Sequence, residues 1–145
     1  MSEHDRHTGG CLCGAIRYEL RGEPSSGNIC YCTQCQRQTG APVPAFVCYP
    51  SERFTLTAGA PATYRASDRA RRQFCGTCGS SLFWLEDGST SVDVFAGTLD
   101  EPGRLPPPSF AIWTAHRAPW VPELEGIRSY PAHRSPPPPK VPSPD

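Results

Sequence analysis

Seven of the eight cysteines in this chain lie in three tight clusters, which no ordinary hydrophobic fold requires. The clusters are Cys11 and Cys13, then Cys30, Cys32 and Cys35, then Cys75 and Cys78. A closed tetrahedral zinc site takes four protein ligands, whereas a catalytic one takes three and keeps a position open. A pair plus a pair makes one closed site, and the remaining triplet makes one open site. The arithmetic therefore predicts two zinc ions per chain, one structural and one catalytic.

Two other fates for these thiols compete with that partition. Paired as disulfides, eight cysteines would suit a small secreted scaffold. The first ten residues, MSEHDRHTGG, are polar and carry no apolar export segment, so a reducing cytoplasm and metal binding are expected instead. Cys32 and Cys35 could also join Cys75 and Cys78 as a zinc ribbon, which would strand three cysteines, and a lone CxxC could be a redox dithiol.

The chain is short, 145 residues with 37% hydrophobic content, 13 Gly and 18 Pro, so its core is modest. A small core is where metals commonly supply missing stability. Formal net charge is zero, so no global field draws nucleic acid or an anionic membrane, and no apolar run reaches the ~18 residues of a membrane span. No nucleic-acid or membrane partner is expected, and a homodimer is compatible with the sequence.

Three segments are expected: a disordered leader over 1–8, a zinc-binding domain over 9–130, and a Pro-rich disordered tail over 131–145. Within the domain, Ile16, Tyr18 and Leu20 alternate with charged neighbours, the period of a half-buried strand. Runs at 43–49, 53–58, 62–67, 81–86, 91–97 and 109–115 are β-branched or aromatic and bounded by turn residues. Only 32–39 reads as helix. The predicted class is all-β, antiparallel sheets clasped by zinc, with very little helix.

Cys11, Cys13, Cys75 and Cys78 are assigned to the structural zinc; adjacent glycines let amide N–H groups turn toward the sulfurs. Cys30, Cys32 and Cys35 fall within six residues and converge cheaply on one metal. Cys48, inside an apolar run, is expected as a core cysteine, and His116 as an exposed or satisfied histidine. Phe83, Trp84, Trp113 and Trp120 are expected in the core. Three thiolates leave zinc a weak activator of water and favour a fourth sulfur ligand, so thiol chemistry is preferred over hydrolysis. The H-x-E element and P-C-x-x-C run of zinc deaminases do not occur.

The stretches GGCLCGAIRYEL, CYCTQCQRQTGA, RRQFCGTCGSSLFW and IWTAHRAPW resemble the glutathione-dependent formaldehyde-activating enzyme family, which includes centromere protein V. The resemblance spans about residues 8–122. It implies a β-tent type fold, a structural zinc on Cys11, Cys13, Cys75 and Cys78, and a catalytic zinc on Cys30, Cys32 and Cys35. It also implies carbon–sulfur lyase chemistry of the S-(hydroxymethyl)glutathione synthase type, with a small-molecule thiol or thiol adduct as partner. Tyr31 and Ala111 stand where members often have His. Arg37 and Arg72 flank the clusters and are candidates for holding glutathione carboxylates, with Tyr31 as a third substrate-binding candidate. The rival reading is a non-enzymatic, zinc-stabilised binding module.

Overall fold

The structure, a computed structural model, describes residues 5–134; His4 and the expected tail from residue 135 onward lie outside the described residues. Among the described residues, eleven strands form two sheets, accompanied by one α-helix. The smaller contains β1 (Arg6–Gly10), β2 (Arg17–Arg21) and β5 (Phe54–Ala58) in the order β1-β2-β5. The larger contains β3 (Ser26–Cys30), β4 (Ala45–Pro50), β6 (Ala62–Arg65), β7 (Ala70–Phe74), β8 (Ser81–Glu86), β9 (Ser91–Phe95), β10 (Phe110–Ile112) and β11 (Arg128–Ser129). Its order is β11-β10-β3-β4-β9-β8-β7-β6. Helix α1 (Thr33–Thr39) starts inside the cysteine triplet, as the sequence predicts. The all-β reading holds, with one refinement: β10 runs parallel to both β3 and β11. No helix among the described residues is long and apolar enough to cross a membrane.

The large sheet has two unlike faces because side chains alternate along each strand. One face carries Val47 and Tyr49 of β4, Val92 and Val94 of β9, and Phe83 of β8, all buried. The small sheet covers it with Ile16, Tyr18 and Leu20, which share one core with those residues. Phe83 is the centre of that contact, its ring edge-on to Tyr18 at 5.3 Å and to Phe54 at 5.0 Å between centroids. Such pairs add about 1 kcal/mol each beyond the area they bury. The other face stays open and carries Cys30, Phe46, Cys48, Asp93, Trp84 and Arg72.

The expected leader boundary at residue 8 falls inside β1. His7 is buried there opposite Leu20, because β1 completes the small sheet and alternation turns residue 7 inward. Gly9 lies so close to Tyr18 that a Cβ would stand 2.4 Å from its hydroxyl oxygen, so this polar, glycine-bearing stretch is a strand that side chains would obstruct. At the other end, Pro131 and Ala132 accept hydrogen bonds from the Ala115 and Trp113 amides, so the described fold runs past the expected boundary at residue 130.

Candidate functional site

Two cysteine groups assemble, Cys11 with Cys13, Cys75 and Cys78, and Cys30 with Cys32 and Cys35; within each, all sulfurs lie within 4.8 Å of one another. This is the predicted partition, and the ribbon pairing does not form. All eight thiols are free. Sulfur separations of 3.6 Å for Cys11–Cys13, 3.8 Å for Cys13–Cys75 and 3.5 Å for Cys30–Cys35 are far beyond a disulfide bond of about 2.0 Å. They match the edge of a tetrahedron with metal–sulfur bonds of ~2.3 Å, which is about 3.8 Å. The donor chemistry and the spacing thus fit zinc at both groups.

The quartet joins two distant parts of the chain. Cys11 and Cys13 follow β1, while Cys75 and Cys78 lie in the turn between β7 and β8, tightened by Gly79 in the left-handed region at φ 82°. The amides of Ile16, Thr77 and Cys78 donate to sulfur at 3.2–3.4 Å, and the Leu12 amide donates to Ser80 Oγ at 2.9 Å. Ser80 contacts Cys78 Sγ at 3.2 Å, and its hydroxyl and amide pull that thiol down to about 5. These dipoles stabilise clustered thiolate charge. None of the four cysteines borders the cavity on the open face of the large sheet.

All three triplet cysteines do border it. Cys30 ends β3, Cys32 caps α1 and accepts from the Cys35 amide at 3.3 Å, and Cys35 lies one turn into the helix. Crowded together, the three sulfurs share protons. Cys32 and Cys35 hold Cys30 protonated, while hydrogen bonding from Cys30 and then Cys35 favours Cys32 as the thiolate. A nearby cation would relieve that competition. One is present: Arg72 on β7 is only 5% exposed, and its guanidinium donates to Cys35 Sγ at 3.4 Å and to Gln38 Oε1 at 2.8 Å. A buried guanidinium aimed at sulfur, with no carboxylate on it among the described residues, favours negative charge on the triplet.

The cavity has a volume of about 670 Å³, within the range of small-molecule sites. Its walls include Trp84, Trp113, Phe46 and Phe110, with Cys48, Asp93, His116 and His133 among the polar groups. Cys48 is therefore a cavity residue instead of a core one, since the alternation of β4 sends Val47 and Tyr49 to the core and Cys48 to the open face. Its Cα partner on β9 is Asp93. Burial and then the Asp93 carboxylate push the Cys48 thiol up to about 12, and burial pushes the Asp93 carboxyl up to about 6. Asp93 was not singled out by sequence; the only available signal was an acid inside the apolar run SVDVFAG.

The other candidates divide. Arg72 borders the cavity, where Cys35 Sγ and Gln38 Oε1 engage its guanidinium. Arg37 is exposed on α1 and does not border the cavity, because the helical period turns it away from Cys35. Tyr31 is also absent from the cavity; it is 2% exposed in an apolar cluster with Ile29, Ala111 and Val121. Tyr31 and Ala111, the two departures from family histidines, therefore pack in one cluster. Phe83 is core as expected. Trp84 and Trp113 line the cavity, and Trp120 is 74% exposed, because each falls on the other side of its strand or loop.

Two sheets, a main core with two smaller apolar clusters, and two zinc-compatible cysteine groups, one of them opening on a cavity, define a β protein that metal could clasp. A sequence profile described as "Glutathione-dependent formaldehyde-activating enzyme" matches residues 6–116, and the chain belongs to that family. A Halomonas elongata protein named "Putative glutathione-dependent formaldehyde-activating enzyme" is 29% identical over 127 residues, 81% of this chain and 80% of its own. A Schizosaccharomyces pombe protein named "Uncharacterized lyase" is 32% identical over 80 residues, 54% of this chain and 56% of its own. Among solved structures, a Rhodobacter sphaeroides protein superposes with a TM-score of 0.54 at 24% identity, over 64% of this chain and 87% of that one, a likeness of fold.

Proposed function

We propose that this chain is a zinc-dependent carbon–sulfur lyase-like enzyme that makes or breaks a thiol–aldehyde adduct. Zinc held by Cys30, Cys32 and Cys35 would supply a soft Lewis-acid position for a thiol sulfur. Adduct formation makes one carbon–sulfur bond and moves one proton from the thiol to the carbonyl oxygen; cleavage reverses both. Within the cavity, the Asp93 carboxyl and the His116 imidazole are groups able to carry that proton. Arg72 keeps sulfur in its charged, nucleophilic form near Cys35, and Trp84, Phe46 and Trp113 give the reacting carbon a partly dry wall.

The observation that supports this reading is the unequal setting of the two groups, one closed by four sulfurs and one with three sulfurs bordering a cavity. The names of the relatives point the same way, to formaldehyde, glutathione and a lyase. Localisation in the cytoplasm and action on a small thiol belong to the same proposal. The test is proton NMR of S-(hydroxymethyl)glutathione and adducts of other thiols with zinc-loaded protein. Accelerated exchange between adduct and free aldehyde is expected. No acceleration across the panel, with two zinc ions bound per chain, would sink the proposal.

A further inference from the structure

The family match ends at residue 116, but the cavity wall does not. After β11 the chain returns along β10 and the turn that follows it. Tyr130 N donates to Ala111 O at 2.9 Å, Trp113 N to Ala132 O at 2.9 Å, Thr114 N to Tyr130 O at 3.0 Å and Ala115 N to Pro131 O at 3.2 Å. These bonds hold Trp113 at φ 58°, the one non-glycine residue in the left-handed region among the described residues. A bulky side chain keeps that conformation only where its surroundings over-determine it. Residues 130–132 are thus part of the fold, and they deliver His133 and Arg134 to the cavity.

The charge they deliver lacks an anionic partner among the described residues. Arg134 lies with its guanidinium carbon 4.9 Å above the Phe110 ring and makes no ion pair among the described residues. The acids of the cavity are already engaged, Glu86 with Arg69 at 3.3 Å and Asp93 with Cys48. His133 Nδ1 is buried without a hydrogen bond, and so are Asn28 Oδ1 and Arg72 Nε on the sheet floor. His133, Arg134, Asn28 and Arg72 all line the one cavity, and no acid among the described residues pairs with the charge that Arg134 brings to it.

We infer that residues 131–134 form a specificity-determining wall in which Arg134 and His133 hold the carboxylate of a substrate whose thiol end meets Cys30, Cys32 and Cys35. The inference rests on the thiol chemistry proposed above and names what the far end of the substrate carries. It also gives the carboxylate a holder in place of Arg37, which faces away, and Arg72, which faces sulfur.

The test is binding by zinc-loaded full-length protein, followed by tryptophan fluorescence or calorimetry, with 3-mercaptopropionate and the neutral 2-mercaptoethanol as probes. The wild type is expected to prefer the carboxylated thiol by about tenfold or more, the scale of one charge-assisted hydrogen bond. Arg134→Gln should bring the two probes within about twofold while leaving 2-mercaptoethanol binding unchanged, and Arg134→Lys should restore most of the preference by charge. His133→Gln should lower it partway. An unchanged preference in Arg134→Gln, or no preference in the wild type, overturns the role of this wall whatever the turnover. A preference that depends on Arg134 in a protein with no adduct turnover keeps this inference and removes the enzymatic reading alone.

Discussion

The two cysteine groups use the same ligand atoms at nearly the same spacing, and they differ in what those atoms connect. The quartet draws its pairs from the ends of β1 and β7, about sixty residues apart, with Cys75 1% exposed at the margin of the main core. The triplet comes from six consecutive residues at the end of β3 and the start of α1, a segment that needs no metal to be brought together. One group closes a long loop and welds two sheets; the other decorates a wall already built. Ligand identity alone therefore does not distinguish the two groups. Sequence separation and the surface each group faces do.

The sharpest way to break that comparison is to remove one sulfur from each. Structural zinc contributes about 10 kcal/mol or more of folding free energy in small domains. Cys75→Ser is expected to abolish cooperative folding, since a loss on that scale takes most or all of the roughly 5–15 kcal/mol that stabilises a domain. Cys30→Ser should remain folded with one zinc fewer per chain by elemental analysis. Equal collapse of both variants, or equal survival, would erase the distinction.

A second contrast uses adjacent residues on opposite faces of β8. Phe83→Ala removes the ring that meets Tyr18 and Phe54 under the small sheet and should cost about 3–5 kcal/mol in urea unfolding. Trp84→Ala, on the cavity side, should cost about 1 kcal/mol and instead weaken binding of thiol probes. Similar losses for both would mean that the open face is packed like the closed one.

The sequence exposes these faces unevenly. Strands with strict alternation or aromatic runs, β2, β4, β8 and β9, are legible because at least one of their faces demands apolar residues. β1, β3 and β7 are not. Their sequences RHTGG, SGNIC and ARRQF are polar or glycine-bearing, and they become strands through neighbours that arrive from elsewhere in the chain. The cysteine partition is legible because ligand number is a local count. The cavity is not, since Cys48, Asp93, Trp84 and Arg72 meet only across four strands, and His133 and Arg134 reach it only after β11 has docked on β10. Proximity in sequence misled for Arg37, which follows Cys35 by two residues but points off the opposite side of the helix.

The smallest expected effect sharpens the difference between the faces through a single carboxyl. Asp93 sits among cavity groups, partly exposed, with its pKa raised by burial from 3.8 to about 6. A raised carboxyl binds its proton more tightly in the folded state than in the unfolded one. Its protonated form therefore favours folding below about pH 4, and that contribution is lost as pH rises through about 6. Allowing for partial exposure, about 2 kcal/mol is at stake. Asp93→Asn keeps the shape of the neutral form and cannot ionise, so it should be more stable than the wild type at pH 7 and nearly equal to it at pH 4. The measurement is the difference between wild-type and variant unfolding curves across that interval, which cancels the titration of every other group. A difference that stays flat with pH would mean that Asp93 is solvated like a surface acid. The cavity would then be wet enough to remove Asp93 as a carrier of the proton that adduct formation must move.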